Sequence, residues 1–207
     1  STNNWTVNLD GADYVTLQYL TITADDSTYA RVIQLTNGAD YNLVDNCILI
    51  SQPVARSGSN SAVIYSTSGT LDNFNIFSNN EMWNGYYSVY FYGSSTSVQT
   101  DGNIFENNLM QDWFYGGFWS YYQSNVKFRG NTLQNHPSSS GYVYGTNFYY
   151  NDGELEITKN RLDLIGGTSY VYGLRIYYCD ATSSAPGLTA NNMVTVNGGA
   201  PTYVYAM

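Results

Sequence analysis

Charge is what this chain lacks most. Lys, Arg, Asp and Glu make up only 11% of 207 residues, and the 7 basic against 16 acidic side chains leave a formal net charge of −9. A field of that sign repels phosphate backbones and argues against nucleic acid as a partner. Cysteine is nearly absent: Cys47 and Cys179 form neither a CxxC nor a metal-ligand spacing. The one histidine, His136, lies in the Pro/Ser stretch NHPSSSG without a Ser or Cys nucleophile motif beside it. No apolar run reaches membrane-spanning length, and no signal-peptide pattern or helical periodicity is found.

Present instead are 43% hydrophobic residues and 22 tyrosines, so the chain has the material for a core. Tyr, Asn, Ser, Thr and Gly supply the polar surface. A seven-residue word occurs twice, IFSNNEM at 76–82 and IFENNLM at 104–110. Written apolar–x–x–Asn–x–apolar, it matches Leu43–Asn46–Ile48, Phe77–Asn80–Met82, Phe105–Asn108–Met110, Phe128–Asn131–Leu133 and Ile157–Asn160–Leu162. A weaker copy is Thr189–Asn192–Val194, and Leu17–Leu20–Ile22 carries Leu in place of Asn. Each of the six Asn-bearing words is followed by a period-two, aromatic-rich one: SAVIYS, SVYFYG, GFWSYY, GYVYG, SYVYG and TYVYA.

A regular core word at irregular intervals means repeated geometry with loops of free length. The predicted fold is all-β, a right-handed parallel β-helix (solenoid) of about seven coils formed by residues 1–207 as a single segment. Both termini read as strand, which predicts a piece of a longer chain. Coils stacked about 4.8 Å apart would align Asn46, Asn80, Asn108, Asn131, Asn160 and Asn192 as an internal amide ladder. The same Asn would supply the left-handed backbone of a tight corner. Cys47 and Cys179 would lie four coils apart, roughly 19 Å at that spacing, too far for a disulfide. Lys127 and Glu156 should meet as an outward cross-strand pair.

The Asn-centred word, the variable loops and stretches such as LTANNMVTVNGG (188–199) resemble the right-handed parallel β-helix repeat family. In style they are similar to the large secreted and surface proteins of Bacteroidota exported by the type IX secretion system. The resemblance implies a modular protein at the cell surface or outside the cell. It does not choose between enzyme and non-enzyme, because the family holds both.

Functional candidates come from the second word. In its period-two phase Val63 and Tyr65 face outward, as do Tyr90, Tyr92, Trp119, Tyr121, Tyr142, Tyr144, Tyr170, Tyr172, Tyr203 and Tyr205. Two exposed aromatic columns would suit sugar rings stacking on π faces, or a protein partner. No catalytic constellation is aligned. Glu154 and Glu156 share a strand face about 7 Å apart, within the spacing of an inverting glycosidase pair, but Lys127 is a ready neighbour. Asp101, in QTDGN, lacks the companion elements of a polygalacturonase site. No cofactor is indicated; calcium at Asp25–Asp26 or in the loop 151–154 has neither EF-hand nor nonapeptide spacing.

The leading expectation is a non-enzymatic β-helical segment of a large exported protein, a stalk, adhesin or binding surface. Its partners would be a carbohydrate or protein ligand and neighbouring modules of the same chain. The alternatives are a β-helical polysaccharide lyase or glycoside hydrolase, with a groove bordered by loops near 51–60, 111–117 and 136–141, and a phage tailspike-like shaft.

Overall fold

The computed structural model describes residues 4–53, 58–66, 69–139, 141–167 and 169–206. Its strands form three parallel sheets wound as one right-handed solenoid. The first sheet stacks Val7–Asp10, Ile33–Thr36, Ala62–Ser66, Tyr87–Tyr92, Gly116–Ser124, Val143–Asp152, Tyr170–Tyr177 and Tyr203–Tyr205, with Thr100–Asp101 beside it. The second stacks Thr16–Gln18, Leu43–Asp45, Ile76–Ser78, Ile104–Glu106, Lys127–Arg129, Glu156–Thr158 and Leu188–Ala190. The third runs from Thr21–Thr23 through Glu81–Trp83 and Thr132–Asn135 to Met193–Asn197. Each coil gives one strand to each sheet in turn, so the seven words are seven coils. Among the described residues the only helical turn is the 3-10 turn Ser59–Ser61.

The repeated word spans the corner between the second and third sheets. Its first apolar residue points inward, and Phe77, Phe105 and Phe128 lie in register over one another, fully buried. The backbone then turns through a left-handed residue in all seven coils: Tyr19, Asn46, Asn79, Asn107, Gly130, Lys159 and Asn191, with φ between 52° and 66°. The ladder residue is the next one along. This separates two roles that the sequence reading gave to one Asn. Asn107 makes the turn, whereas Asn108 donates its Nδ2 to Phe77 O at 2.9 Å and to Asn131 Oδ1 at 3.1 Å. The same bonds join Asn80 to Asn108, Asn131 to Asn160 and Asn160 to Asn192.

Asn46 is not part of that ladder. Val44, not Leu43, lies in register with Phe77, so the second coil is shifted by one against the expected alignment. Asn46 takes the exposed left-handed position and Cys47 takes the ladder slot. Its backbone N–H bonds Asn80 Oδ1 at 2.9 Å, and its thiol approaches Leu17 O at 3.5 Å, the carbonyl an Asn amide would serve there. Cys179 does the same elsewhere, its sulfur accepting from Asn151 N and facing Phe148 O. Both thiols are free, Cys47 buried and Cys179 half-buried; each is a small apolar stand-in for an amide.

A second ladder, Asn42–Asn75–Asn103, lines the corner that leads from the first sheet into the second. Beside it Asp72 is fully buried. Its carboxylate accepts from Ala39 N at 3.0 Å, Ser66 Oγ at 2.6 Å and Thr70 Oγ1 at 3.0 Å. Burial pushes this carboxyl above its ordinary value of 3.8, and the hydrogen bonds only partly oppose that rise.

Strict alternation fails in the first sheet. Val63, expected outside, is buried in the core together with Ile64. The same two-residue inward step recurs at Ser88–Val89, Gly117–Phe118, Gly145–Thr146 and Gly173–Leu174, all buried. The step lets the strand bend around the core, and it inverts the phase of everything upstream. Glycine occupies it in three successive coils because the coils touch there: a Cβ on Gly145 would lie 2.6 Å from Gly173 O and 2.8 Å from Leu162 Cδ2.

Three variants test the roles of the ladder, the turn and the buried carboxylate. Asn131→Ala removes two acceptances and two donations inside the stack, so a loss of about 2–4 kcal/mol is expected in urea denaturation. Asn46→Gly, which suits the left-handed backbone, should stay within about 0.5 kcal/mol of the parent. Asp72 gives the pH dependence. Its folded pKa is raised, so the folded state binds more protons, and stability falls as pH rises from 3.8 through the folded value. In Asp72→Asn that decline should be missing from denaturation midpoints measured across the window.

Candidate functional site

The outer face of the first sheet carries the tyrosines, in more columns than the two expected. Because of the inward step, Tyr144 does not continue the column of Tyr90 and Trp119; it is in register with Gly116 before it and Tyr172 after it. Four columns result. Tyr142, Tyr170 and Tyr203 form one, and Tyr144, Tyr172 and Tyr205 the second. Tyr65, Tyr90 and Trp119 continue into Asn147 and Arg175 as the third. Tyr92 and Tyr121 continue into Tyr149 and Tyr177 as the fourth.

Within most columns the rings lie nearly parallel at about one strand spacing. Tyr142–Tyr170 and Tyr170–Tyr203 are 5.0 and 4.9 Å apart, Tyr144–Tyr172 and Tyr172–Tyr205 are 4.7 and 5.0 Å, and Tyr92–Tyr121 is 5.0 Å. The π faces already stack on the next coil, so what points to solvent is ring edges and phenol hydroxyls. Two expected surface residues are covered outright: Trp119 and Tyr144, each 8% exposed, join Ala62 and Tyr87 in a small second core. Tyr86 and Tyr115, stacked 4.8 Å apart, close over it. Tyr142, Tyr203 and Tyr205 are exposed, and Tyr65, Tyr90, Tyr92, Tyr121, Tyr170 and Tyr172 are half-buried.

Burial raises the phenols of Tyr87, Tyr90 and Tyr144 rather than activating them. Tyr90 is pushed up to about 12, and Tyr87 and Tyr144 rise further, in each case chiefly by loss of water. Raised in this way, these three stay protonated at physiological pH, and a phenol in that state is a neutral hydroxyl donor and acceptor. Arg31 anchors one end: its guanidinium lies 3.5 Å from the Tyr65 ring centroid and spends its donors on Ser59 O, Gln34 and Asn60. Arg175 lies at the other end, within 4.8–5.8 Å of the Tyr177, Tyr172 and Tyr144 rings.

Further aromatic columns extend beyond the two repeated words. The doublets Tyr121–Tyr122, Tyr149–Tyr150 and Tyr177–Tyr178 recur every 28 residues. Their second members stack in a corner column, each with a left-handed backbone. The repeat YYQ, YYN, YYC was legible. A further exposed column, Tyr14–Tyr41–Phe74, has rings 5.1 and 5.0 Å apart.

The carboxylates weighed for catalysis are engaged. Lys127 and Glu156 are register partners as expected, but the ion pairs are exchanged. Lys127 reaches Glu154 at 3.7 Å, and Arg129 bridges Glu106 at 2.8 Å and Glu156 at 3.5 Å. Arg129 is the longer, forked side chain and spans both neighbours. Asp101 accepts from Ser124 and Asn125 at a corner. His136 stacks on Phe114 at 4.4 Å and accepts from Ser138 N. Among the described residues no group of three or more His, Cys, Asp or Glu could hold a metal ion, and no helix is long and apolar enough to cross a membrane. Of the loops expected to border a groove, residues 54–57 and 140 lie outside the described residues.

A family model described as a right-handed β-helix region matches residues 5–173 and, in an overlapping second alignment, 60–205. Searches of curated proteins and of solved structures gave no match.

Proposed function

Because this chain belongs to the right-handed β-helix family, we propose that it is a non-enzymatic binding module of a large exported protein, displayed at the cell surface or secreted. Its ligand would be an extended glycan lying along the tyrosine columns. The observation that carries this reading is the neutral hydroxyl array repeated at about 5 Å, from Tyr142 through Tyr170 to Tyr203. An extended β-1,4-linked polysaccharide advances by about one strand spacing (~5 Å) per hexose. Successive sugars would therefore meet equivalent phenols on successive coils, each exchanging hydrogen bonds with water for hydrogen bonds with the face.

The low charge content supports the same reading, since a neutral polyhydroxylated partner makes no demand for ion pairs. Resemblance of the repeat to type IX-secreted surface proteins of Bacteroidota supports the extracellular setting. Glu154 and Glu156, bound to Lys127 and Arg129, give the lyase or hydrolase alternative little support.

Calorimetric titration with neutral β-1,4-linked oligosaccharides of increasing length tests the proposal. Affinity should rise with length up to the number of coils spanned. The double variant Tyr142→Ala/Tyr170→Ala should lower it about tenfold. Tyr14→Ala/Tyr41→Ala, on another corner, should leave it unchanged. Equal loss in both variants, or no dependence on length, would refute the tyrosine columns as the site.

A further inference from the structure

One residue of the aromatic face is chemically out of place. Arg175 is a cation on a neutral surface, and the other charged contacts of the molecule set it apart. Lys127, Arg129 and Arg161 pair with carboxylates, while Lys159 projects at an exposed corner. Arg31 commits three nitrogens to Ser59, Gln34 and Asn60. Arg175 has neither arrangement: among the described residues its guanidinium makes one hydrogen bond, from Nη1 to Asn147 Oδ1 at 3.2 Å. A guanidinium offers five N–H donors in a fixed fork, so most of its donors have no acceptor among the described residues.

The guanidinium is nevertheless held. Its carbon lies 4.8 Å from the Tyr177 centroid, 5.2 Å from Tyr172 and 5.8 Å from Tyr144, distances at which ring quadrupoles attract a cation. Asn147 holds it from below. That amide is fully buried, and its Oδ1 is turned to the guanidinium although Nδ2 is thereby left with no partner among the described residues. Its neighbours in the column are Trp119 and Arg175, and Tyr121 stands beside it. Burial raises the Tyr121 phenol, while the Asn147 amide beside it and the Arg175 charge oppose that rise; even so, no acceptor among the described residues meets Nδ2 in hydrogen-bonding geometry. Buried donors are rarely left unpaired without a compensating role. The Oδ1 contact holds one nitrogen of the Arg175 fork and leaves its other donors uncommitted among the described residues.

We propose that Arg175, positioned by Asn147 and framed by Tyr172 and Tyr177, is a subsite for a single carboxylate on an otherwise neutral glycan. The proposal rests on the glycan-binding reading above. An isolated carboxylate is favoured over a polyanion because one guanidinium in a chain of net charge −9 does not offset the repulsion of a densely charged ligand. The neutral tyrosine columns would carry the rest of the chain, and the fork would select the sugar bearing the acid.

The experiment is calorimetric titration with three probes. They are a neutral β-1,4-linked hexose oligosaccharide, the same oligosaccharide with one hexose oxidised to the uronic acid, and an acidic peptide. The parent chain, Arg175→Gln and Arg175→Lys are compared, with near-UV circular dichroism confirming that each is folded. The parent should bind the uronate probe about tenfold tighter than the neutral one. Arg175→Gln should abolish that preference while keeping the neutral-probe affinity, and Arg175→Lys should restore part of it. Equal binding of both sugars by the parent would overturn the subsite and leave the tyrosine columns standing. No binding of either sugar would overturn both. Arg175-dependent binding of the peptide alone would overturn the glycan assignment in favour of an acidic protein surface.

Discussion

Everything in this molecule depends on coils stacking in parallel about one strand spacing apart. At that distance each inward or corner position sees its own counterpart above and below, so residues that satisfy a copy of themselves are favoured. Asn does so by donating and accepting with one side chain, and five stacked Asn from Asn80 to Asn192 form an unbroken line. Phenylalanine does so by ring contact, and glycine by allowing the backbones to touch at Gly117, Gly145 and Gly173. Charged side chains do so poorly, since like charges one coil apart repel. Scarcity of Lys and Glu and abundance of Asn and Tyr are two consequences of one constraint.

The aromatic face obeys the same rule and gains two properties from it. Beneath, Tyr87, Trp119 and Tyr144 are dry and behave as a second core outside the solenoid wall. Above, stacking consumes the π faces and leaves a regular array of hydroxyls. A column can thus stabilise the fold through its rings and meet a ligand through its edges. Asn147 and Arg175 break the third column where aromatic residues would have continued it. There the face changes from aromatic to amide and cation.

Fold and coil number were legible because a ladder repeats its residue type: Phe–x–x–Asn–x–Met is visible without coordinates. Less could be read where a slot accepts a substitute. Cys47 in place of Asn shifted the second coil by one, and the neighbouring Asn46 offered a false match. The left-handed turn escaped for a related reason, since Tyr19, Gly130 and Lys159 occupy it as well as Asn. The outer columns were misphased because period-two reading assumes a straight strand. The inward step at Gly117–Phe118 and Gly145–Thr146 adds a residue to the same side and re-aims the strand before it. Which residues face outward was therefore largely readable from SYVYG and SVYFYG. Which of them lie over one another, and that Trp119 and Tyr144 are covered, required the register between coils.

The most direct test of the account is fluorine NMR of the chain labelled with 3-fluorotyrosine, titrated with a neutral β-1,4-linked oligosaccharide. Resonances of Tyr142, Tyr170 and Tyr203 should shift together and saturate at one ligand concentration, while that of the buried Tyr87 stays in place. Shifts confined to Tyr14 and Tyr41, or none at saturating ligand, would contradict a glycan surface on the first sheet and leave its tyrosines a purely structural layer.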